Sequence, residues 1–444
     1  MLSPCFSVPG ANEQLVIAMI LSEDCTPATP HPFRSNGQMH LPLTLILLLV
    51  AHSFADNGKC QAQVEGRWDA RIECPGGDIR FGLELNQEDN RLTAVLINGS
   101  ERIPVPAVSF QGGSLVLDIE HFDSKVKMKL VDGKFSGEWT KRRGVDNWST
   151  LRISASRGGK DQSLQPSQRF IGRWEARFSS SDDPAVAVFT AHSDRVEGTF
   201  LTTTGDYRYL GGSVRSGKLE LSCFDGGHAF LFRGELDDDG SIKGDFWSSN
   251  TWHETWTAKK NSKARLPDSF TQTVSPDGSD SNSLSFPDLQ GVKTNINDPK
   301  FAGKARIIYV FGSWCPNCHD AAAYFRQLEA KYGDKGLSIL GLAFELTGDF
   351  ERDAKQVRIY TKRHGVSYPV LIAGLSDKQE ASKVLPILDR VRSYPTTIFM
   401  DRHNQIRAVH TGFSGPATEE AYDDLRSKFE NIIEGLLAAP AEPD

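Results

Sequence analysis

Residues 306–318 read RIIYVFGSWCPNC, an apolar run that leads directly into two cysteines three positions apart. The run 306–311 has the length and the β-branched content of a buried strand, and the residues after Cys315 carry apolar side chains at helical spacing to Tyr332. A strand that feeds a helix in this way predicts an α/β unit with both cysteines at the helix start. Because the N-terminus of a helix favours the thiolate form of cysteine, this turn is the candidate redox centre.

The alternation of strands and helices continues toward the end of the chain. Further strands are expected over 338–344, 368–372, 396–400 and 406–411, and helices over 350–365, 376–388 and 418–437. This pattern predicts an α/β domain with a central sheet over about 286–438. Pro395 directly precedes one of these strands, where a cis peptide bond in a tight turn is expected.

The two cysteines of the turn are expected to have different roles. Cys315 lies outermost and would attack a disulfide, whereas Cys318, one turn further in, would resolve the mixed disulfide. The main alternative is a zinc site in which His319 joins the two cysteines as a third ligand. A structural zinc site needs four ligands, however, and the sequence has no second CxxC pair. We therefore expect no metal and no cofactor, because the redox-active disulfide Cys315–Cys318 itself carries the electrons.

From about 286 to 438 the sequence resembles the TlpA/ResA-like thiol–disulfide oxidoreductases, which have a thioredoxin fold and belong to the AhpC/TSA–redoxin superfamily. The matching pieces are Phe286-Pro287-Asp288-Leu289 with Gly291, Gly303-Lys304, Phe311 to Cys318, and Tyr394-Pro395-Thr396-Thr397 before a hairpin. The resemblance implies that Cys315 is the nucleophile, Cys318 the resolving thiol and Pro395 the cis-proline opposite them.

The resemblance also implies an acid near the dithiol, and Glu345 at the end of the strand ILGLAFE is the matching residue. The alternative is an ordinary surface glutamate at a strand end. Residues around the dithiol and the proline are expected to bind substrate: Trp314, Pro316, Asn317, Tyr394 and Thr396.

The N-terminal part of the sequence has the layout of a secretory signal peptide. Residues 41–51 read LPLTLILLLVA, followed by the small-x-small pattern Ser53-Phe54-Ala55. We expect a signal peptide over 39–55, with 1–38 as a non-native or disordered leader and Met39 as the true start. The alternative is an uncleaved membrane anchor, although the run is shorter than the ~20 residues of a spanning helix. The expected location is periplasmic or otherwise extracytoplasmic.

The middle of the chain contains a repeat. The segment GRWDARI at 66–72 recurs as GRWEARF at 172–178, and FSGEW at 135–139 is echoed by IKGDF at 242–246. Short alternating runs separated by Gly-Gly and Asp-Gly turns predict all-β repeats, each a sandwich or a small barrel. The predicted repeats cover 56–158 and 165–260, and their expected task is packing or partner docking rather than binding a small molecule.

A polar segment follows the repeats, and three cysteines lie in or just before them. Residues 261–285 are rich in Ser, Asp and Pro and predict a flexible linker. Cys60 and Cys74 are a candidate disulfide, and Cys223 is expected to be a buried, unreactive thiol.

The net charge of −7 gives no basic excess, so nucleic acid is not an expected partner. The sequence therefore predicts an exported oxidoreductase that acts on protein thiols and disulfides. An upstream thiol redox partner is expected to exchange electrons with it, and peripheral contact with a membrane is left open. Reduction is the favoured direction because the resemblance implies it. Two alternatives remain: a thiol peroxidase, although Gly312 stands where that chemistry needs Thr or Ser, and a β-domain binding protein with an accessory redox module.

Overall fold

The computed structural model describes residues 64–89, 91–158, 168–192, 195–279 and 281–439. The expected leader, the signal peptide and Cys60 lie outside the described residues. Within the ranges that are described, no helix has the length and apolarity needed to cross a membrane.

The first sheet has nine strands in which buried and exposed side chains largely alternate, as expected of a sheet that covers a core with one face. Its strands are β1 Gly66–Cys74, β2 Gly77–Glu88, β3 Arg91–Asn98, β4 Glu101–Pro104, β5 Ala107–Gln111, β6 Ser114–Ile119, β7 Ser124–Val131, β8 Lys134–Arg142 and β9 Trp148–Arg157. The order is β4-β3-β2-β1-β9-β8-β7-β6-β5, and all neighbours are antiparallel.

The second sheet also has nine strands. They are β10 Gly172–Phe178, β11 Pro184–His192, β12 Arg195–Thr202, β13 Gly205–Asp206, β14 Leu210–Arg215, β15 Lys218–Phe224, β16 Ala229–Leu236, β17 Ile242–Ser248 and β18 Trp252–Lys260. An extra pairing of β11 with β12 closes the antiparallel ladder into a ring, with β13 attached to β12 outside it. Of the two architectures that the sequence allowed, this sheet is therefore a barrel.

The tryptophan of each Gly-Arg-Trp segment has the same environment in both sheets. Trp68 and Trp174 are each 1% exposed, and each indole N–H donates to a carbonyl four residues earlier, Val64 and Phe170, at 2.8 Å. Each tryptophan thus ties the chain before the sheet to the core, since a buried indole N–H needs an acceptor.

The C-terminal region has a five-stranded sheet with helices, as the resemblance implied. The strands of the central sheet are β21 Ala305–Phe311, β22 Leu337–Glu345, β23 Val370–Leu375, β24 Thr396–Met400 and β25 Ile406–Thr411. Two short strands, β19 Ser285–Pro287 and β20 Lys293–Asn295, pair with each other as a separate sheet. Its α-helices are α1 Pro316–Tyr332, α2 Phe350–His364, α3 Lys378–Val384 and α4 Glu420–Ala438. Short 3-10 helices occur at Glu120–Phe122, Ser269–Thr271, Pro299–Phe301, Gly333–Lys335 and Pro416–Thr418.

The central sheet has the order β23-β22-β21-β24-β25. The pairs β21–β22 and β22–β23 are parallel, whereas β24 and β25 run antiparallel to their neighbours. The strand β21 is buried along its whole length, which explains its unbroken apolar sequence. One predicted helix is shorter than expected: α3 ends at Val384 rather than near 388, because Pro386 disfavours helical backbone in the residue before it.

The prediction of a flexible linker over 261–285 is wrong for much of this segment. Phe270 packs against the core of the C-terminal region, with its ring centroid 6.3 Å from that of Phe429. Thr273 is 1% exposed, and its hydroxyl accepts a hydrogen bond from Thr411 at 2.8 Å. The composition is polar, but these few buried contacts hold the segment against the sheet.

Candidate active site

The dithiol lies where β21 gives way to α1. Cys315 has extended backbone and caps the helix, and its sulfur accepts a hydrogen bond from the backbone N–H of Cys318 at 3.3 Å. Pro316 occupies the first helical turn, where its missing N–H leaves no gap in the hydrogen bonding. The helix N-terminus thus directs an N–H group at the Cys315 sulfur.

The two cysteines differ in depth. Both carry free thiols in this structure; Cys315 is 7% exposed and Cys318 is fully buried. Burial, together with the neighbouring Cys315, raises the pKa of Cys318 well above its usual range. The outer and inner positions are those expected for an attacking and a resolving thiol.

Two tyrosines that the sequence did not indicate as site residues contact the inner cysteine. The hydroxyls of Tyr309 and Tyr360 both donate to the backbone carbonyl of Cys318, at 2.7 and 2.8 Å. Burial raises the pKa of both phenols well above the usual value, so they remain donors at neutral pH. Tyr309 lies on the strand just before the dithiol, but Tyr360 comes from α2 and gave no local signal.

Glu345 is buried next to the turn that carries the dithiol. The backbone N–H and the hydroxyl of Ser313 donate to its two carboxylate oxygens at 2.8 and 2.7 Å. Burial raises the pKa of Glu345 to about 8, although both bonds from Ser313 favour the charged form. The alternative of an ordinary surface glutamate is wrong, because this side chain is fully buried.

A pair of histidines contacts the same turn from the other side. Nε2 of His319 lies 2.8 Å from the carbonyl oxygen of Ser313, and its Nδ1 lies 2.6 Å from Nε2 of His364. Since the carbonyl can only accept, His319 donates through Nε2 and accepts through Nδ1 from His364. Burial lowers the pKa of His319 well below its usual range and that of His364 to about 4, so both rings are neutral at pH 7.

The histidine that the zinc alternative required is therefore already bonded on both ring nitrogens. Among the residues that the structure describes, no group of three or more His, Cys, Asp or Glu side chains has the arrangement needed to hold a metal ion.

The loop opposite the dithiol lies in contact with the outer cysteine. The Tyr394–Pro395 peptide bond is cis, as expected from the sequence, and the Cys315 thiol donates to the Tyr394 carbonyl at 3.5 Å. Trp314 is partly buried, and its ring centroid lies 5.6 Å from that of Tyr394. The side chain of Thr396 is fully buried and donates to the Ser393 carbonyl, so it does not line an accessible surface.

The two residues between the cysteines contact the second β-sheet instead of solvent. The Asn317 side-chain amide donates to the Asp206 carbonyl at 3.2 Å. A Cβ atom built on Gly227 would lie 2.9 Å from the Pro316 ring, so the backbone passes directly over this proline. Both side chains were expected to bind substrate, and in this structure both are covered by the same chain.

A lysine from the first sheet reaches the same place. Lys141 is 4% exposed, and its ammonium donates to the Gly227 carbonyl at 2.5 Å. Burial lowers the pKa of Lys141 to about 7, and the nearby sulfur of Cys315 acts in the opposite direction. The first sheet therefore supplies a buried lysine amine near the dithiol, which no local motif indicated.

Comparisons with known proteins agree with this geometry. Residues 268–425 match the family described as Redoxin. This match begins earlier than residue 286, where the sequence led us to expect the start of the domain. The thioredoxin-like protein YneN of Bacillus subtilis is 27% identical over 136 residues, which are 31% of this chain and 72% of the relative. The thiol-disulfide oxidoreductase ResA of Halalkalibacterium halodurans is 26% identical over 127 residues, which are 28% of this chain and 62% of the relative.

Solved structures are similar over about a third of the chain. A thiol:disulfide interchange protein from Chlorobium tepidum shares 21% identity and covers 37% of this chain and 100% of its own, with a TM-score of 0.27. A thiol-disulfide oxidoreductase from Bacteroides fragilis shares 22% identity and covers 33% of this chain and 99% of its own, with a TM-score of 0.25.

The chain therefore has a redoxin domain with a thioredoxin-like fold at its C-terminal end. The activity class that this domain supports is thiol–disulfide oxidoreduction.

Proposed function

We propose that this protein is an exported thiol–disulfide oxidoreductase that reduces protein disulfides through Cys315 and Cys318. The observation that carries the proposal is the depth difference at the start of α1, where one sulfur is slightly exposed and the other is fully buried. Such a pair can accept a substrate at one sulfur only, which is the requirement for an ordered exchange.

The exchange consists of two displacements. The Cys315 thiolate attacks one sulfur of the substrate disulfide, forms a mixed disulfide and releases the other substrate sulfur as a thiolate. The Cys318 sulfur, after losing its proton, attacks Cys315 and releases the second substrate thiolate. Two electrons pass to the substrate, and the protein is left with the Cys315–Cys318 disulfide, which an upstream thiol partner must reduce. No other cofactor takes part in this scheme.

The second displacement needs a proton acceptor, because burial disfavours the Cys318 thiolate. We propose that Glu345, a buried carboxyl bonded to Ser313 two residues before Cys315, has this part in its ionised form. Because its pKa is about 8, the ionised fraction, and with it the rate of this step, increases as pH rises toward 8. Trp314 and the backbone of the Tyr394–Pro395 loop, which lie next to Cys315, would contact the substrate.

Export rests on the sequence pattern over 39–55 alone. The proposed mature protein begins after Ala55 and works in a periplasmic or other extracytoplasmic compartment. N-terminal sequencing of the protein recovered from that compartment is expected to give Asp56 as the first residue, and a mature end within 1–38 would contradict the proposal.

The two β-sheets are proposed to be duplicated domains over 56–158 and 165–260. The equal strand numbers and the matching bonds of Trp68 and Trp174 support this division. A disulfide between Cys60 and Cys74 stays a prediction: Cys74 is a free thiol in this structure, and Cys60 lies outside the described residues.

The test is capture of the mixed disulfide. The Cys318→Ser variant is expected to accumulate a covalent adduct with reduced-and-reoxidised insulin or another disulfide protein, because nothing resolves the Cys315 bond. The Cys315→Ser variant should neither form the adduct nor reduce the disulfide. The matched control is Cys223→Ala, which removes a buried thiol from the second sheet and should leave reduction intact.

Two results would contradict the proposal. One is full disulfide reduction by Cys315→Ser. The other is rapid, repeated consumption of peroxide by the reduced wild-type protein, which would favour a peroxidase.

A further inference from the structure

The outer cysteine has little room for a partner in this structure. Disulfide exchange requires the attacking sulfur to approach a substrate sulfur directly, and so it depends on access as well as on the thiolate. Cys315 is only 7% exposed, and Pro316, Asn317 and Tyr394 around it are buried. The surface that a protein disulfide would need is thus occupied by other parts of the chain.

The main occupant is the segment 203–208 between β12 and β14, which we call the cover segment. The Ser393 hydroxyl donates to the Thr204 carbonyl at 2.6 Å, two residues before the proline of the facing loop. On the helix side, the Asn317 amide donates to the Asp206 carbonyl at 3.2 Å. The cover segment therefore spans the dithiol from the loop at 393–396 to the first turn of α1.

Glycine makes this close approach possible. Gly205 has φ of +147°, and a Cβ atom there would lie 2.5 Å from the side-chain nitrogen of Asn317. Gly412 at the end of β25 has φ of +78°, and a Cβ atom there would lie 2.8 Å from the backbone of Thr204. Both positions combine a backbone conformation that side chains rarely adopt with contact too close for a Cβ atom.

A buried arginine anchors the end of the cover segment. Arg208 forms ion pairs with Asp320 on α1, with Glu101 on β4 at 2.8 Å and with Asp225 at 3.3 Å. Its side chain is 9% exposed, so these pairs are little weakened by solvent. The backbone N–H of Gly415 adds a bond to the Asp206 carboxylate at 2.6 Å.

We propose that the cover segment closes the dithiol to disulfides on folded proteins, and that a substrate gains access to Cys315 only when this segment moves away from the loop at 393–396. The proposal rests on the proposed function, because it names the condition under which that dithiol acts. It makes the second β-sheet a determinant of specificity: disulfides in small or unfolded chains need less displacement than those in folded proteins.

The test compares two glycine variants and measures access without requiring catalysis. Gly205→Ala adds a methyl group against Asn317 and strains the backbone, whereas the ion pairs of Arg208 are left in place. The matched control is Gly217→Ala, which also has positive φ, +81°, in the same sheet but meets no atom within 4 Å. The reduced proteins are treated with iodoacetamide or with a polyethylene glycol maleimide, and modification of Cys315 is followed by peptide mass spectrometry.

Each rate is divided by the rate for the same reagent on the urea-unfolded protein. In the wild type, Cys315 is expected to be protected far more against the polymer than against iodoacetamide. Gly205→Ala should raise the normalised polymer rate about tenfold. The added strain destabilises the closed arrangement, and a strain of about 1.4 kcal/mol shifts the closed–open equilibrium toward the open form by that factor. Gly217→Ala should match the wild type.

Equal protection of wild-type Cys315 against both reagents would overturn the proposal without any variant, so it stays testable if Gly205→Ala fails to fold. Equal polymer rates in the two folded glycine variants would also overturn it. If Gly205→Ala exposes Cys315 but no form of the protein reduces insulin, the closure stands and the proposed function fails.

Discussion

The inner and outer sides of the dithiol come from different regions of the chain. On the inner side, the C-terminal domain places Glu345 against Ser313 and the hydroxyls of Tyr309 and Tyr360 against Cys318. On the outer side, the β-region supplies the cover segment and Lys141. The inner groups affect protons and hydrogen bonds at the sulfurs, whereas the outer groups decide what reaches them.

The chemistry of the dithiol and access to it are therefore separable in this molecule. The inner contacts lie on β21, β22 and α2, and the outer ones meet the first turn of α1 and the loop at 393–396. Substitutions on one side are therefore expected to leave the other side in place.

The largest effect is expected on the outer side, at Arg208. Arg208→Met leaves the buried carboxylates Asp225 and Asp320 without their cation, which typically costs about 3–5 kcal/mol for a buried pair. We expect the free energy of unfolding in urea to fall by this order. The matched control is Arg71→Met, whose exposed ion pair with Asp78 is worth about 0–1 kcal/mol. A similar small loss in both variants would show that charge does not hold the cover segment.

The inner side is tested at Glu345. Because its pKa is about 8 in the folded protein and near 4.5 when unfolded, the folded state holds the proton more tightly between these values. This contribution to stability is complete below about pH 4.5 and is lost as pH rises through about 8. Glu345→Gln resembles the protonated form, so its stability relative to the wild type should increase with pH across that window.

The free energy of unfolding of Glu345→Gln relative to the wild type should increase by about 1.4 kcal/mol for each pH unit between the two pKa values. The whole increase is on the order of a few kcal/mol. Urea unfolding of both proteins at about pH 5 and about pH 8 measures it. Glu138→Gln, at an exposed position on β8, is the control and should show no such trend. A wild type and Glu345→Gln with parallel pH profiles would contradict the assignment of a proton to Glu345.

The strand, the helix and the two cysteines on the inner side were predictable from the sequence, whereas the tyrosines beside Cys318 and the whole outer side were not. The strand Ala305–Phe311 and the helix Pro316–Tyr332 follow from local periodicity, and Cys315 and Cys318 are three positions apart. Arg208 and Asp320, by contrast, are 112 positions apart and join two separate folds. No local pattern reports a contact of that kind, because each residue looks like an ordinary surface charge in its own segment.

The same limit explains the error at 261–285. Its Ser, Asp and Pro content describes the average residue of the segment, but a few residues, among them Phe270, Thr273 and Val274, attach it to the domain. Composition therefore predicted mobility where a few tertiary contacts decide the outcome. It also placed the domain boundary too late, since the family match begins at 268.

The smallest effect is expected at the other end of the cover segment. Ser393→Ala removes the hydroxyl that donates to the Thr204 carbonyl, and a hydrogen bond of this kind contributes about 0.5–1.5 kcal/mol. If the bond exists only while the cover segment is closed, its loss raises the equilibrium constant for opening by about two- to tenfold. The normalised rate at which the polymer maleimide modifies Cys315 should rise by that factor.

Ser338→Ala is the matched control, because its hydroxyl also donates to a backbone carbonyl, that of Ala305 at 3.3 Å, within the same domain. Both variants lose one hydroxyl and one bond, so they should lose similar stability. Only Ser393→Ala should change access to Cys315. If the two variants gave the same polymer rate, the contact at Thr204 would be packing without control of access, and the cover segment would be held by its contacts with α1 and Gly415.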